Sequence, residues 1–335
     1  MRVTRTSTTA QAAMILAALI LIALAFAPWW ADRAEMRLMG EIFLYMALAS
    51  LWNLLAGYAG LVSVGQQAYV GLGGYLLFAL AMLAGVPVLL ALPLAAMAGA
   101  AIAMPVAVLI FRLRGAYFAI GTWVIAEVFR LSAAQIPALG GGSGASLPAA
   151  IVKSLAEGRD MREALAYWLA LGVMTAVIGA AFLILRSRHG LALTAIRDNE
   201  LASRSLGVDI WLTKFVVYVA VAGLTTLVGA LIFLQKLRIS PEAAFSVNDW
   251  TAFVIFIVVI GGIGTLEGPI IGTLIFFALR ETMADLGTIY LIALGLIAIL
   301  VMLKAPRGLW GLIRSRTRAE LFPLSRRVLN IPSKT

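Results

Sequence analysis

The chain has 335 residues, 62% of them hydrophobic and 13% charged, with a formal net charge of +10 and a mean hydropathy of +1.00. Soluble domains lie nearer about 45–50% apolar and about 25% charged, so the composition excludes an ordinary soluble module and points to a polytopic membrane protein. No cysteine is present, which excludes disulfides, thiol nucleophiles and thiolate metal sites; the single histidine, His189, argues against zinc.

A membrane span needs about 20 mostly apolar residues. Ten stretches qualify in chain order: 12–30, 39–56, 61–83, 88–111, 115–135, 165–185, 215–236, 250–265, 268–285 and 287–304. The last three are short or crowded, so the expectation is about ten transmembrane helices, within a range of 8–10. The first follows Arg2 and Arg5 and ends in Pro28-Trp29-Trp30. Lacking a clean small-x-small cleavage site, it reads as a retained span with an aromatic belt rather than a signal peptide.

Lys and Arg favour the cytoplasmic side of a span. With Arg2 and Arg5 placed inside, counting through the spans puts Arg112, Arg114 and the 186–214 segment inside. The basic tail, with Lys304, Arg307, Arg314, Arg316, Arg318, Arg326, Arg327 and Lys334, falls inside as well. The 31–38, 136–164 and 237–249 loops fall outside, and both termini are expected in the cytoplasm. The division that follows is a transmembrane permease domain over 1–310 and a basic cytoplasmic tail over 311–335. The basic charge suits topology and contact with membrane lipids; no nucleic-acid partner is expected, since no soluble domain offers a groove.

Three stretches depart from ordinary spans. Residues 53–75 (NLLAGYAGLVSVGQQAYVGLGGY) set six glycines among the polar residues Asn53, Ser63, Gln66 and Gln67. Small residues allow close helix packing, but polar groups at membrane depth need partners or a wet cavity. A broken segment beside a translocation path accounts for both features better than packing alone. Residues 261–273 (GGIGTLEGPIIGT) are similar in character, either a second broken segment of an internally repeated transporter or a turn between helices. In 112–130 (RLRGAYFAIGTWVIAEVFR), Glu127 and Arg130 share a helix face and are expected to form a structural ion pair, while Thr122 lies deeper, as a path candidate. The outside loop at 136–164 reads either as a flexible connector or as a contact surface.

The polar segment 186–209 (RSRHGLALTAIRDNELASRSLGVD) is flanked by apolar runs on both sides and reads as a docking element for a soluble motor. No Gly-x-x-x-x-Gly-Lys-Ser/Thr occurs anywhere, so this chain has no P-loop of its own. An ion-coupled secondary transporter would need ionisable residues in mid-span, and Glu127, Glu267, Arg280 and Glu281 mostly lie near span ends. A membrane enzyme would need a cluster of His, Asp or Glu on one face, and the sequence offers no catalytic residue and no metal-ligand set.

NLLAGYAGLVSVGQQAYVGLGGY, RLRGAYFAIGTWVIAEVFR, HGLALTAIRDNELASRSLGVD and GGIGTLEGPIIGT occur in that order, and together the chain resembles the LivM-type permease subunits of branched-chain amino acid ABC importers. The resemblance spans about residue 39 to 310. It implies an ABC importer permease fold and a heterodimer with a second, homologous permease. It also implies two ATPase subunits that hold the ATP and magnesium, and a periplasmic substrate-binding protein at the bacterial inner membrane. The permease itself would carry no cofactor and no catalytic activity. The family's ATPase-coupling region maps here to Ala195, Ile196, Arg197, Asp198, Asn199, Glu200, Ala202 and Gly207. Glu200 and Gly207 stand one position further apart than in the common coupling motif. Amino-acid permeases of the family often carry a Thr-Gly-Gly stretch in the first long outside loop; here 139–144 has no threonine, and urea or short-amide permeases of the same family are the alternative.

Overall fold

The computed structural model describes residues 2–4, 8–156, 158–283, 289–305, 307–317, 322 and 327–329. Much of the basic tail, including Arg318, Arg326 and Lys334, lies outside the described residues, as do Arg5 and the junction at 284–288.

All ten apolar stretches contain helix. They are α1 (Thr8–Ala25), α2 (Arg33–Asn53, continuing as a π turn over Leu54–Tyr58), α3 (Gln66–Met82), α4 (Val88–Ile110) and α5 (Ala116–Ala134), then α7 (Arg159–Arg186) after the short α6 (Ala149–Leu155). The polar segment forms α8 (Arg188–Asp198) and α9 (Glu200–Ser205). There follow α10 (Ile210–Lys236), α11 (Pro241–Ala244), α12 (Phe253–Gly261), α13 (Glu267–Thr282), α14 (Ile289–Lys304) and α15 (Gly308–Thr317). Among the described residues, seven continuous helical segments are long and apolar enough to cross a membrane. The seven do not include α1, α3 and α13. α3 has 17 residues and α13 has 16, because a chain break cuts each short at its N-terminal side.

α2 and α10 form the centre, with 78% and 67% of their most apolar windows buried, against 22% for α5. Trp123, Val124, Val128 and Leu131 of α5 point outward, as suits a face turned to lipid or to another apolar chain. α10 packs on α3 and α4 at backbone contact. A Cβ on Gly73 would meet the Thr226 carbonyl oxygen at 2.0 Å, and one on Gly229 would meet the Val70 carbonyl oxygen at 2.2 Å. Small residues thus bring these helices together where apolar burial gives no drive in lipid. Tyr69 and Tyr218 share a hydroxyl hydrogen bond of 2.9 Å across the same interface. The packing reading therefore holds for the α3 glycines and the broken-segment reading for residues 60–65, which are not helical.

Loops that the charge count assigns to one side meet one another. Arg33 pairs with Asp160 at 2.6 Å, Arg37 with Glu163, and Arg130 with Glu242 at 3.3 Å; Arg280 holds both oxygens of Glu41 at 2.8 Å. The 136–164 loop is tied to the 237–249 loop. Its strand Ala145–Ser146 pairs antiparallel with Arg238–Ile239, Leu147 N donates to Leu237 O at 2.9 Å, and Leu139, Leu147 and Ile239 are buried beneath it. Short strands at Arg2–Thr4 and Arg327–Leu329 pair on their own.

Candidate functional site

The opposite face carries the polar segment, and its local structure follows from its caps. The Ser187 hydroxyl accepts from His189 N at 3.1 Å and starts α8. Asn199 Oδ1 accepts from Ala202 N at 3.0 Å and starts α9, and Asp209 Oδ1 accepts from Leu212 N at 2.9 Å and starts α10. Short polar side chains are the preferred N-caps because they satisfy backbone N–H groups that lack an intrahelical acceptor. The result is a helix–cap–helix element between two long helices.

α8 is one-sided. Leu193 and Ile196 are buried at 0% and 1% exposure, seating α8 against α7, α10 and the π turn. Ile196 therefore faces the bundle and anchors the element from beneath. Ala195 is half-buried, whereas Asp198, Asn199, Glu200, Ala202 and Gly207 face outward. Glu200 pairs with Lys214 of α10. Leu201 and Leu206, at 77% and 82% exposure, stand out into solvent and were missed by the sequence reading, although two leucines inside a polar stretch were a usable signal.

Arg197 bridges two regions. Its Nη1 donates to the Gly57 carbonyl at 2.7 Å and its Nε to Asp198 at 2.9 Å. Gly57 closes the π turn of α2, directly against the α12–α13 break. Asn53 clamps that break from both sides: its Oδ1 accepts from Gly264 N and its Nδ2 donates to the Thr265 carbonyl, each at 2.8 Å. Gly264 sits at φ +75°, a left-handed conformation that costs an L-residue about 1–2 kcal/mol. Residues 262–266 of the 261–273 stretch thus turn between two helices and are tied through Asn53 to the break in 53–75.

The other path candidates are all buried. Ser63 caps its own turn, its Oγ accepting from Gly65 N at 3.1 Å and its carbonyl from Trp52 Nε1 at 2.8 Å. Thr122 Oγ1 accepts from Val64 N at 3.1 Å and donates to Ala119 O at 2.8 Å. Asn53, Ser63 and Thr122 thus spend their hydrogen bonds holding the break together. Gln66 Nε2 donates to Leu48 O at 3.0 Å and Gln67 Oε1 accepts from Thr251, while Gln66 Oε1 and Gln67 Nε2 have no partner among the described residues. Thr251 and Thr265 had no signal in the sequence, since each matters only through a contact with a distant segment. Glu127 and Arg130 form their ion pair within α5, Nε to both carboxylate oxygens at 3.0 Å. Glu267 is buried near the α12–α13 break and accepts from Phe322 N at 3.1 Å. Among the described residues no group of His, Cys, Asp or Glu is arranged to hold a metal ion.

Membrane-length helices, broken at one face and joined there to a capped polar element, define a multi-pass membrane protein built for transport. Residues 36–305 match the family described as the permease component of branched-chain amino acid transport systems, and the chain belongs to that family of ABC transporter permeases. It is 28% identical to the high-affinity branched-chain amino acid transport system permease proteins LivM of Salmonella typhimurium and Escherichia coli K12, over 93% of this chain and 78% of each relative. No solved structure matches the chain.

Proposed function

We propose that the chain is the translocation subunit of an ATP-driven importer that moves branched-chain or related amino acids across the inner membrane by alternating access. It works beside a second homologous permease in a lipid bilayer, with both termini inside. Two ATPase subunits, which bind the ATP and magnesium, dock on the α8–α9 element through Ala195, Asp198, Asn199, Glu200, Ala202 and Gly207. A binding protein delivers cargo to the opposite face. The chain itself performs no catalysis and binds no cofactor.

The observation that carries this reading is the Arg197 bridge. Displacement of α8 pulls on Gly57, and through Asn53 on Gly264 and Thr265, so one lever reaches both broken segments at once. Packed elements transmit such shifts because interiors are dense and poorly compressible. Leu201 and Leu206 supply the apolar contact for the ATPase, about 1.5–3 kcal/mol for each leucine fully buried. The mixed charges around them set register. Gln66 and Gln67 keep an unused acceptor and donor at the break, where passing cargo would find them.

The test is co-purification of the chain with its ATPases after Leu201→Asp and Leu206→Asp together. The expected result is loss of the ATPases with unchanged membrane insertion and helix content. Retention of the ATPases at wild-type stoichiometry would overturn the docking assignment.

A further inference from the structure

The face opposite the coupling element holds a cavity of about 540 Å³, open to the outside between α2, α6, α7 and the end of α10. Small-molecule sites commonly have volumes of about 300–1,000 Å³. Its floor is apolar and buried, formed by Leu44, Ile232, Leu234, Tyr167 and Trp250. Its walls carry charge of both signs: Arg37, Glu41, Arg159, Arg162, Glu163 and Lys236.

The charges do not cancel in place. Glu41 is spent, both oxygens held by Arg280. Glu163 uses only Oε1, which accepts from Arg37 and, at 3.4 Å, from Arg159; its Oε2 is buried with no hydrogen-bond partner among the described residues. A buried carboxylate oxygen without a donor is costly, and an ammonium group would satisfy it. On the cationic side, Arg162 makes one long contact, 3.4 Å to the Ala156 carbonyl, and no carboxylate pairs with it among the described residues. Lys236 lies over the Trp250 ring at 4.7 Å and likewise has no carboxylate partner among them. The cavity therefore lacks one cationic donor and one anion, and offers an aliphatic and aromatic floor between them.

We propose that this cavity is a binding site for a zwitterionic aliphatic amino acid, which receives cargo before translocation. Glu163 takes the ammonium, Arg162 and Lys236 take the carboxylate, and Leu44, Ile232 and Leu234 take the side chain. The inference rests on the transport reading above and adds a place and a charge pattern to it.

The experiment uses the assembled importer, permease pair with ATPases, in nanodiscs without binding protein. Binding of L-leucine is compared with that of 4-methylpentanoate, which lacks the ammonium, and isoamylamine, which lacks the carboxylate. Leucine is expected to bind, and each analogue about tenfold or more weaker. Glu163→Gln should weaken leucine by about tenfold and leave 4-methylpentanoate unchanged. Arg162→Gln should weaken leucine and 4-methylpentanoate but not isoamylamine. Equal binding of all three probes, or leucine binding indifferent to both variants, would overturn the site. So would absence of leucine binding together with retained phosphatidylethanolamine that is lost in Glu163→Gln, which would make the cavity a lipid site. ATP-driven leucine uptake by wild-type proteoliposomes supplied with binding protein separates the two failures. If uptake is absent, the transport reading fails; if it is present but unchanged in both variants, only the cavity assignment fails.

Discussion

The two long polar segments of this chain, 136–164 and 186–209, look alike in composition and behave in opposite ways. The first buries Leu139 and Leu147 where its strand pairs with Arg238–Ile239, and leaves Ile136 and Met161 exposed at its two ends. The second buries Leu193 and Ile196 but leaves Leu201 and Leu206 in solvent. The first is thus held by strand pairing with its own chain, whereas the second carries two leucines that stand almost wholly in solvent, on the element we propose as the ATPase dock. Polarity alone does not separate the two segments; strand pairing in one and near-complete exposure of two leucines in the other do.

The largest expected effect on transport tests the lever. Arg197→Glu replaces the donor to Gly57 with an acceptor, loses a hydrogen bond to a charged group worth about 1.5–3 kcal/mol, and leaves like charges beside Asp198. ATP-driven uptake in proteoliposomes should fall by about 10–100-fold, while the ATPases still bind and hydrolyse ATP. Normal uptake in that variant would sink the coupling assignment.

On the other face, Ile239→Ala opens a cavity under the strand pair and should cost about 2–5 kcal/mol. Thermal unfolding should come at lower temperature, with faster proteolysis within 136–164. The matching change Leu201→Ala should leave both readouts unchanged, since that side chain is 77% exposed; equal destabilisation would erase the contrast between the segments.

Gly207 sits at φ +81° with no neighbouring atom within 4 Å of an added Cβ, so Gly207→Val meets strain rather than a clash. A cost of about 1–2 kcal/mol should tilt α9 away from its docking pose. Uptake should drop several-fold while the circular dichroism spectrum holds. The smallest effect belongs to the Glu127–Arg130 pair, whose side chains are 46% and 26% exposed. Glu127→Gln should shift the unfolding midpoint by no more than about 1 kcal/mol equivalent and leave uptake intact. A large loss of uptake would move this pair from structure to the path.

Much of the fold was legible in the chain. Lipid forbids unsatisfied backbone, so runs of apolar residues had to become helices, and each expected stretch contains one. The caps at Ser187, Asn199 and Asp209 emerged only with the structure, although their residue types are those that favour helix starts. Less legible was the fate of similar glycines: Gly73 closes a helix interface, while Gly57 abuts a chain break. Composition treats them alike, because what distinguishes them is the atom each one faces.

The sequence by itself determined the membrane class, the positions of the helices and the location of the polar 186–209 element, because hydropathy acts over a few neighbouring residues. Only the tertiary structure decided what Asn53 and Arg197 do. Asn53 clamps Gly264 and Thr265, and Arg197 reaches Gly57, across chain separations of 211, 212 and 140 residues. The same holds for the charged cavity between α2, α7 and α10, whose unmatched groups come from helices far apart in the chain. Hydrogen bonds and charges are satisfied in space, and no local pattern records which remote segment will bring the partner.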